Sequence, residues 1–371
     1  MACVTKKRGR WCVDFYDQHG KRRLKMMPEG ANKKQAMDKL EEIRKQVDGG
    51  VFLPTKQIPK FSEVAKDWIE WKKPNLRITT WECYEGHTRT HFSDLNHLPI
   101  NRINVTTVEK FITTKRESGI HIGTLRKVLV TLGQIFNYAV RHRYMSHNPL
   151  KEAERPRDQS GEGERGRDKI QILSPGQIKA LLDQEENPQF KMLFMLTIFT
   201  GARQGEILGA KWSDIDWGNS QIHIQRTFNK GHFFTPKTQT SNRRVDIGPT
   251  VLKALKEWKL ACPRNEHGLL FASGAGQPIN YSNLVQRHFR PALKDAELPM
   301  MRFHDLRHTF ASLLIEQGEN VKYIQTQLGH SSPTVTLNVY AHLMKPTNQE
   351  AACRLENTIF SENGDQMETN Q

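Results

Sequence analysis

The sequence predicts a multidomain protein with three folded parts: a small N-terminal module of a β-sheet plus one helix, an all-α domain, and a mixed α+β, mainly helical C-terminal domain. The length of 371 residues accommodates two or three domains of ordinary size. Apolar residues alternate near the N-terminus, as in strands, and take helical spacing after residue 58. A charged segment at 151–169 then divides the chain into two halves, because a stretch of that composition favours an exposed linker.

The N-terminal module is predicted from a strand pair followed by one helix. Residues 10–17 alternate, 17–20 form a turn, and 21–26 return as a second strand. Asn32 is placed to cap a helix that runs to about Val47 and stops at Gly49 and Gly50. Residues 1–25 hold eight basic and two acidic residues. This favours a DNA-binding module, and a solvated N-terminal extension is the open alternative.

Residues 58–150 have a helical pattern throughout. The clearest helix runs from Thr124 to about His142, and its apolar stripe predicts a core face. That stripe consists of Leu125, Val128, Leu129, Leu132, Ile135, Phe136, Ala139 and Val140. The pair Asn148-Pro149 is predicted to end the helix, because proline disfavours a helical conformation in the residue before it.

The C-terminal domain begins near Ile170. Ser174-Pro175 predicts a helix start, and 190–199 predicts a buried helix. Strands are predicted at 221–228, 233–236 and 243–247, with a turn at 229–232 between the first two. Helices return from about Tyr281. The tail from Pro346 carries five acidic residues and one arginine, so we do not expect it to lie on a polyanion unaided.

Charge and composition narrow the class of partner. Lys plus Arg is 55 and Asp plus Glu is 40, which gives a net charge of +15. Such a surface indicates a polyanion, nucleic acid first and an anionic membrane second. The longest apolar run, Met192–Phe199, is far short of the roughly 20 residues that span a bilayer. With no apolar stretch behind the N-terminal charges and no CxxC pair, we expect a soluble protein of a reducing cytosol.

Several polar residues of the C-terminal domain stand where packing does not require them. Arg203 follows a Thr-Gly pair at the end of a buried helix, and His304, Arg307 and His308 share one helix face. Each of these residues alone has an ordinary explanation, such as a surface ion pair or a half-buried aromatic. Only the whole set and its order indicate a function. In chain order the set is Arg203, Lys237, His304, Arg307, His330 and Tyr340.

That set resembles the tyrosine recombinase (phage integrase) family. The stretches that carry the resemblance are TGARQGEILGAKWSDID (200–216), TPKTQTSNRRVDI (235–247), HDLRHTFAS (304–312) and LGHSSPTVTLNVYAH (328–342). The family's order is Arg, Lys, His-x-x-Arg, His, Tyr, and the chain departs from it at none of the six positions.

The resemblance implies a domain plan. Residues 1–56 correspond to an arm-type DNA-binding module, and 57–150 to a core-type DNA-binding helical domain with a SAM-like fold. The segment 151–169 is the linker. Residues 170–345 correspond to a catalytic domain of the DNA breaking-rejoining type, and 346–371 form a C-terminal tail.

The resemblance also implies a role for each residue. Tyr340 attacks the scissile phosphate, and Arg203 and Arg307 bind its non-bridging oxygens, a task that suits planar guanidinium forks. His330 donates a further hydrogen bond to the phosphate, and His304 assists removal of the Tyr340 proton. Lys237 protonates the leaving 5′ oxygen, and Lys230, in the nearby turn, is the alternative acid. The covalent product is a 3′-phosphotyrosine, so rejoining needs no ATP.

The implied activity is site-specific recombination that integrates or excises a phage or another mobile element. The implied partners are double-stranded DNA with core and arm-type attachment sites, a homotetramer in the synaptic complex, a DNA-bending host factor and an excisionase. We expect no cofactor, no metal and no membrane. Asp214 and Asp216 fit a turn before a strand better than a metal site.

Three alternatives stay open on the sequence alone. A type IB topoisomerase shares the same chemistry. A catalytically idle DNA-binding regulator would need no intact set of six residues. A metal-dependent integrase or transposase would stop working in EDTA.

Overall fold

A computed structural model of the chain describes residues 2–18, 20–49, 52, 58–157, 170–236, 238–332, 353, 356 and 357. Its internal contacts divide into two units, Met1–Asp168 and Lys169–Gln371. In the described part of the chain helices outnumber strands, and the strands form small antiparallel sheets. Among these residues, no helix has the length and apolar character that crossing a membrane requires.

The N-terminal module is a three-stranded sheet with one helix against it. Strands β1 (Cys3–Lys7), β2 (Arg10–Tyr16) and β3 (Arg22–Met26) are antiparallel neighbours in that order. Helix α1 (Lys33–Asp48) begins at Asn32, whose side chain accepts the Gln35 N–H. The predicted β2, β3 and α1 are confirmed. β1 was not predicted, because Val4 is its one strongly apolar residue besides Cys3.

The rest of the first unit is helical. Its helices are α2 (Phe61–Lys72), α3 (Ile78–His91), α4 (Val105–Glu117) and α5 (Ile122–Arg141). The predicted stripe of α5 is buried from Leu125 to Ala139, and it packs with residues of α2 and α4 in one core. Phe136 lies near the centre of that core, with its ring 6.1 Å from the ring of Phe61.

The predicted range of α5, to about His142, is confirmed, but the prediction that Asn148-Pro149 ends the helix is wrong. The helix ends at Arg141, and Arg143 then adopts a φ of 61°, a left-handed conformation that stops a right-handed helix. Asn148 caps a separate 3₁₀ turn (Pro149–Lys151) by accepting the Leu150 N–H at 3.0 Å. The proline therefore begins a new turn and does not end the old helix.

The second unit combines helices with two small sheets. Its helices are α6 (Pro175–Gln184), α7 (Pro188–Thr200), α8 (Gln204–Leu208), α9 (Pro249–Ala261), α10 (Tyr281–Leu284), α11 (Arg290–Asp295), α12 (Asp305–Glu316) and α13 (Val321–Leu328). A π-helical turn, Val285–Phe289, joins α10 to α11. Its strands are β4 (Ile215–Asp216), β5 (Gln221–Ile224), β6 (Thr227–Asn229), β7 (His232–Phe234) and β8 (Arg243–Asp246). The sheets have the orders β4-β5-β8 and β6-β7.

The strand predicted at 221–228 is two strands in two sheets. Gln225 and Arg226 interrupt it, because both side chains bind the buried Asp214 carboxylate, Gln225 at 2.7 Å. β6 then pairs with β7 through a turn in which Lys230 and Gly231 have φ values of 47° and 82°. Positive φ at both central residues is the signature of a tight hairpin turn, so the predicted turn is confirmed.

The core of the helical domain gives a direct test of packing. Phe136 is fully buried in α5, whereas Val130 in the same helix is 52% exposed. We expect Phe136→Ala to lower the free energy of unfolding by about 3–5 kcal/mol, because it removes a ring and leaves a cavity. Val130→Ala is the matched control and should change it by less than about 1 kcal/mol. Urea unfolding of the full chain measures both, and equal effects would contradict the described packing of α5.

Candidate functional site

Four of the six sequence-predicted residues lie in described parts of the second unit. Arg203 stands at the start of α8, three residues after α7 ends. His304 precedes α12 and Arg307 lies in its first turn, while His330 follows the glycine that ends α13. The place of Arg203 after the Thr-Gly pair that ends a buried helix agrees with the sequence prediction. His304 was predicted on one helix face with Arg307 and His308, but it is the residue before the first turn of α12. Lys237 and Tyr340 lie outside the described residues.

Two glycines shape the backbone on which the arginines rest. Gly201 ends α7 with a φ of 57°, and Gly329 ends α13 with a φ of 64°. A side chain at Gly201 would place its Cβ 2.4 Å from the Phe310 ring, and one at Gly329 would meet the Thr240 carbonyl at 2.9 Å. Both positions therefore require glycine, for conformation and for space.

Arg307 is buried between these two helix ends. Its side chain, in a residue that is 2% exposed, donates to the Gly201 carbonyl at 2.7 Å and to the Leu328 carbonyl at 2.5 Å. The last carbonyls of a helix lack intrahelical partners and carry its negative dipole end, so they attract a guanidinium. Arg307 thus joins α12 to the ends of α7 and α13.

Arg203 reaches the same helix end from the other side. Its Nη2 donates to the Gly329 carbonyl at 3.3 Å, and its Nη1 donates to Glu206 Oε1 at 2.7 Å. The side chain is 36% exposed, so part of the guanidinium faces solvent. Arg203 therefore has its position set by protein contacts and still presents a charged surface.

Glu206 and Arg243 belong to this site, although sequence reasoning did not single them out. Arg243 begins β8 with its side chain 3% exposed, and it holds both Glu206 oxygens, at 3.1 and 2.9 Å. Burial alone would raise the pKa of Glu206, but Arg243 and then Arg203 lower that pKa to about 2. The spacing of Arg203 and Glu206, one turn apart, was the available signal. For Arg243 the available signal was the alternation of a strand, in which Arg243 faces the interior and the next residue, Arg244, faces solvent.

The histidines of the site are neutral at physiological pH. Desolvation, then the positive charges nearby, lower the pKa values of His304 and His330 to about 4. The His304 ring still has an exposed edge and lies 5.2 Å from the ring of His308, whose pKa is also lowered. A neutral imidazole can accept a proton or donate a hydrogen bond, so these residues suit proton transfer better than charge compensation.

The site as a whole is cationic and partly open. Arg203, Arg307 and Arg243 all lower the pKa of His330 through their charges, which shows that the four groups share one electrostatic environment. Fixed guanidinium groups around neutral imidazoles form a site for a phosphate-sized anion beside general acid and base groups.

The two aspartates of the 212–217 segment have structural partners. Asp214 accepts the Lys211 N–H at 2.8 Å as well as its contacts from Gln225 and Arg226. Asp216 binds Asn219 and, at 2.9 Å, Arg244. These contacts support the interpretation of both residues as parts of a turn and a strand.

Two protein-family models match the chain. The model described as "Phage integrase family" matches residues 171–346, and the one described as "Phage integrase central domain" matches residues 61–155. A "Tyrosine recombinase XerC-like" protein of Caldanaerobacter subterraneus is 28% identical over 359 residues, which covers 89% of this chain and 91% of that protein. The "ICEBs1 integrase" of Bacillus subtilis is 26% identical over 384 residues, covering 97% of this chain and all of that protein (100%).

Solved structures share the fold. A Tn1549 transposon integrase in complex with transposon right end DNA has a TM-score of 0.65 at 20% identity, covering 81% of this chain and 99% of that one. A lambda integrase tetramer bound to a Holliday junction has a TM-score of 0.58 at 17% identity, covering 89% and 96%. Both family models, the full-length relatives and the shared fold agree with the arginine and histidine site. The chain therefore belongs to the phage integrase family of tyrosine recombinases and is a site-specific DNA recombinase.

Proposed function

We propose that this recombinase cuts and rejoins DNA strands through a covalent 3′-phosphotyrosine at Tyr340. One observation carries the proposal: Arg203, Arg307, His304 and His330, from three separate stretches of the chain, converge on one partly open cationic site. A phosphodiester is the anion that such a site fits, because its two non-bridging oxygens match two guanidinium groups.

The proposed reaction is a transesterification. The Tyr340 oxygen forms a bond to phosphorus as the bond to the 5′ oxygen breaks, and the energy of the diester is kept in the new ester. His304 takes the phenolic proton, for which a neutral imidazole is required. Arg203, Arg307 and His330 stabilise the oxygens of the pentacovalent state, and Lys237 gives a proton to the leaving 5′ oxygen. Rejoining is the same sequence in reverse with another 5′ hydroxyl.

Two lysines are candidates for the acid. Lys230 lies in the β6–β7 turn and is exposed, whereas Lys237 belongs to the PKT segment that matches the family pattern. We therefore propose Lys237 as the general acid, because of its place in the matching PKT segment.

The domain plan of the sequence remains our proposal. Residues 57–150 form a SAM-like domain for core-type DNA, and 170–345 form a catalytic domain of the DNA breaking-rejoining type. The helical core from Phe61 to Ala153 and the separate core of the second unit support this division. Residues 1–56 form the arm-type module, 151–169 the linker and 346–371 the tail.

The module's sheet supports a role on DNA. On the face away from α1, Tyr16, Leu24 and Met26 are each more than 40% exposed. Arg22, on the same face, donates to both oxygens of Asp14, at 3.0 and 2.6 Å, and is 67% exposed. An exposed apolar patch with a fixed arginine beside it suits the edge of a nucleic acid groove better than bulk solvent.

The proposed partners are supported by the solved structures and by the names of the relatives. Solved neighbours include a tetramer on a Holliday junction and dimers on core sites, so we propose pairwise strand exchange in a homotetramer on double-stranded DNA. Relatives named for prophages and a phage support a mobile element as the source of the DNA. We also propose a DNA-bending host factor, an excisionase and action in a bacterial cytosol. The relatives' names disfavour the topoisomerase alternative.

The first test concerns the nucleophile. Tyr340→Phe should bind attachment-site DNA normally and lower covalent adduct formation by at least about 10³-fold, because phenylalanine has no oxygen to attack phosphorus. A duplex nicked beside the scissile phosphate traps the adduct, which a denaturing gel measures. Tyr323→Phe, a change on α13 that removes one hydrogen bond to Asp246, is the control and should still form it. An adduct with Tyr340→Phe would refute the assignment.

The second test removes metal ions. Cleavage in excess EDTA should stay within about twofold of the untreated rate, because guanidinium and imidazole groups supply the stabilisation that a metal would otherwise give. The same trapping gel reads the rate. Complete loss that Mg²⁺ alone restores would favour a metal-dependent transposase mechanism.

The third test deletes residues 1–55. Recombination between full attachment sites should fall at least about tenfold, because the deletion removes the basic module and its phosphate contacts. Binding and cleavage of a core site should persist, since the deletion spares the helical core from Phe61 to Ala153 and the second unit. Footprinting should show a distal protected sequence that disappears with the deletion. An unchanged footprint would mean that the segment is a solvated extension.

A further inference from the structure

Arg243 connects β8 to the start of α8 and to the end of α13. Besides holding both oxygens of Glu206, it donates from Nε to the Gln327 carbonyl at 2.6 Å and from Nη1 to the Ser241 carbonyl at 3.3 Å. Its Cδ and Nη1 lie about 3 Å from where a Cβ on Gly329 would be. Its Nε, Nη1 and Nη2 each donate to a protein acceptor, which gives the side chain a supporting place in the site.

The charges of the site explain why a buried arginine is needed. Glu206 is ionised and shared, since it accepts from both Arg203 and Arg243. Arg203, Arg307, Arg243 and Glu206 together carry a net charge of +2 while His304 and His330 are neutral, and the charge of the neighbouring Asp305 is cancelled by its partner Arg302. The pentacovalent phosphorane carries two negative charges, so the described groups balance it. Without Arg243 the net charge is +1, and Glu206 has Arg203 as its one remaining guanidinium partner among these groups.

The contacts of Arg243 also fix positions. Through Glu206, which accepts both the backbone N–H and Nη1 of Arg203, it sets the start of α8. Through the Gln327 carbonyl and its packing against Gly329, it fixes the end of α13, one residue before His330. A guanidinium can do both because its Nε and two Nη groups donate in different directions in one plane.

We propose that Arg243 is a positioning residue for strand cleavage: it holds Glu206 away from full pairing with Arg203, so that Arg203 keeps its charge and place for the scissile phosphate, and it anchors the turn that carries His330. This inference rests on the proposed function, because it assigns Arg203 and His330 to the phosphate.

Two variants separate charge from geometry. Arg243→Gln removes the charge, and we expect cleavage of a nicked suicide duplex to slow by about 10- to 100-fold, less than for loss of a group that touches the phosphate. Arg243→Lys keeps the charge and loses the fork, and it should recover part of that rate. Arg244→Gln is the matched control, because it removes a cation from the next position of β8, where Arg244 is 54% exposed and pairs with Asp216. It should cleave at the wild-type rate.

The probe is a DNA duplex that contains the attachment site, which is identified as the direct repeat found at both ends of the integrated mobile element. The nucleotide to which the wild-type protein becomes covalently attached identifies the scissile phosphate. All variants should bind this duplex with equal affinity by gel shift, and their thermal unfolding should show folded protein. If Arg243→Gln does not fold, Arg243→Met, which also removes the charge, takes its place in the measurements that follow.

Two modified phosphates decide which groups Arg243 acts through. In a methylphosphonate, one charged oxygen is replaced by a methyl group, so the reaction needs less positive charge. The rate gap between wild type and Arg243→Gln should then shrink at least about tenfold. In a 5′-phosphorothiolate, the sulfur leaves without a proton, and the gap should persist.

The outcomes are distinct. The proposal would be overturned if the rate gap between wild type and Arg243→Gln closed with the phosphorothiolate and not with the methylphosphonate. Arg243 would then act on protonation of the leaving group. A gap unchanged by both would reduce Arg243 to a structural role and overturn it as well. If wild-type protein forms no adduct, or Tyr340→Phe forms one, the proposed function itself fails, which is a separate result.

Discussion

The Glu206 carboxylate is 6% exposed, and four hydrogen-bond donors from Arg203 and Arg243 surround it. A buried charge of this kind is costly unless it is paired, and removal of one partner typically costs about 3–5 kcal/mol. The remaining geometry of the site follows from this pairing. It sets the first residue of α8, attaches β8 to that helix, and through Arg243 attaches both to the end of α13. Three segments that are distant in sequence are thereby held at one carboxylate.

Helix ends supply the second part of the site. The carbonyls of Gly201, Leu328 and Gly329 stand at the ends of α7 and α13, and they accept hydrogen bonds from Arg307 and Arg203. Each helix ends with a glycine in the left-handed region, which turns the chain at once and leaves room for the neighbouring backbone or ring. Arg307 is thus fixed by carbonyl oxygens, and Arg203 and Arg243 share one carboxylate, so the three arginines keep an excess of positive charge. That excess is what a phosphate site needs.

Charge and proton transfer are assigned to different residue types. The guanidinium groups stay charged at any relevant pH and stand ready to compensate a phosphorane. The same charges, together with desolvation, keep His304 and His330 neutral by lowering their pKa values to about 4. The arginines therefore help to keep both imidazoles neutral. Neutral His304 is suited to accept a proton, and neutral His330 is suited to donate a hydrogen bond. In the first unit, the well-packed helical core and the open sheet face have a different task in our proposal, which is to hold DNA.

The sequence by itself determined the periodic elements and the family. The stripe of α5, the cap at Asn32, the start of α6 at Ser174 and the hairpin turn at Lys230 and Gly231 were all predictable, because each depends on residues close in the chain. The set of six polar residues and its order were enough to recognise the family. Local signals failed where a distant partner decided the outcome. The strand predicted at 221–228 is interrupted because the side chains of Gln225 and Arg226 bind Asp214. Asn148 caps a new 3₁₀ turn and does not end α5. Glu206 and Arg243 entered the site only through tertiary structure, since 36 residues separate them along the chain, and only the fold brings a buried carboxylate and a buried guanidinium together.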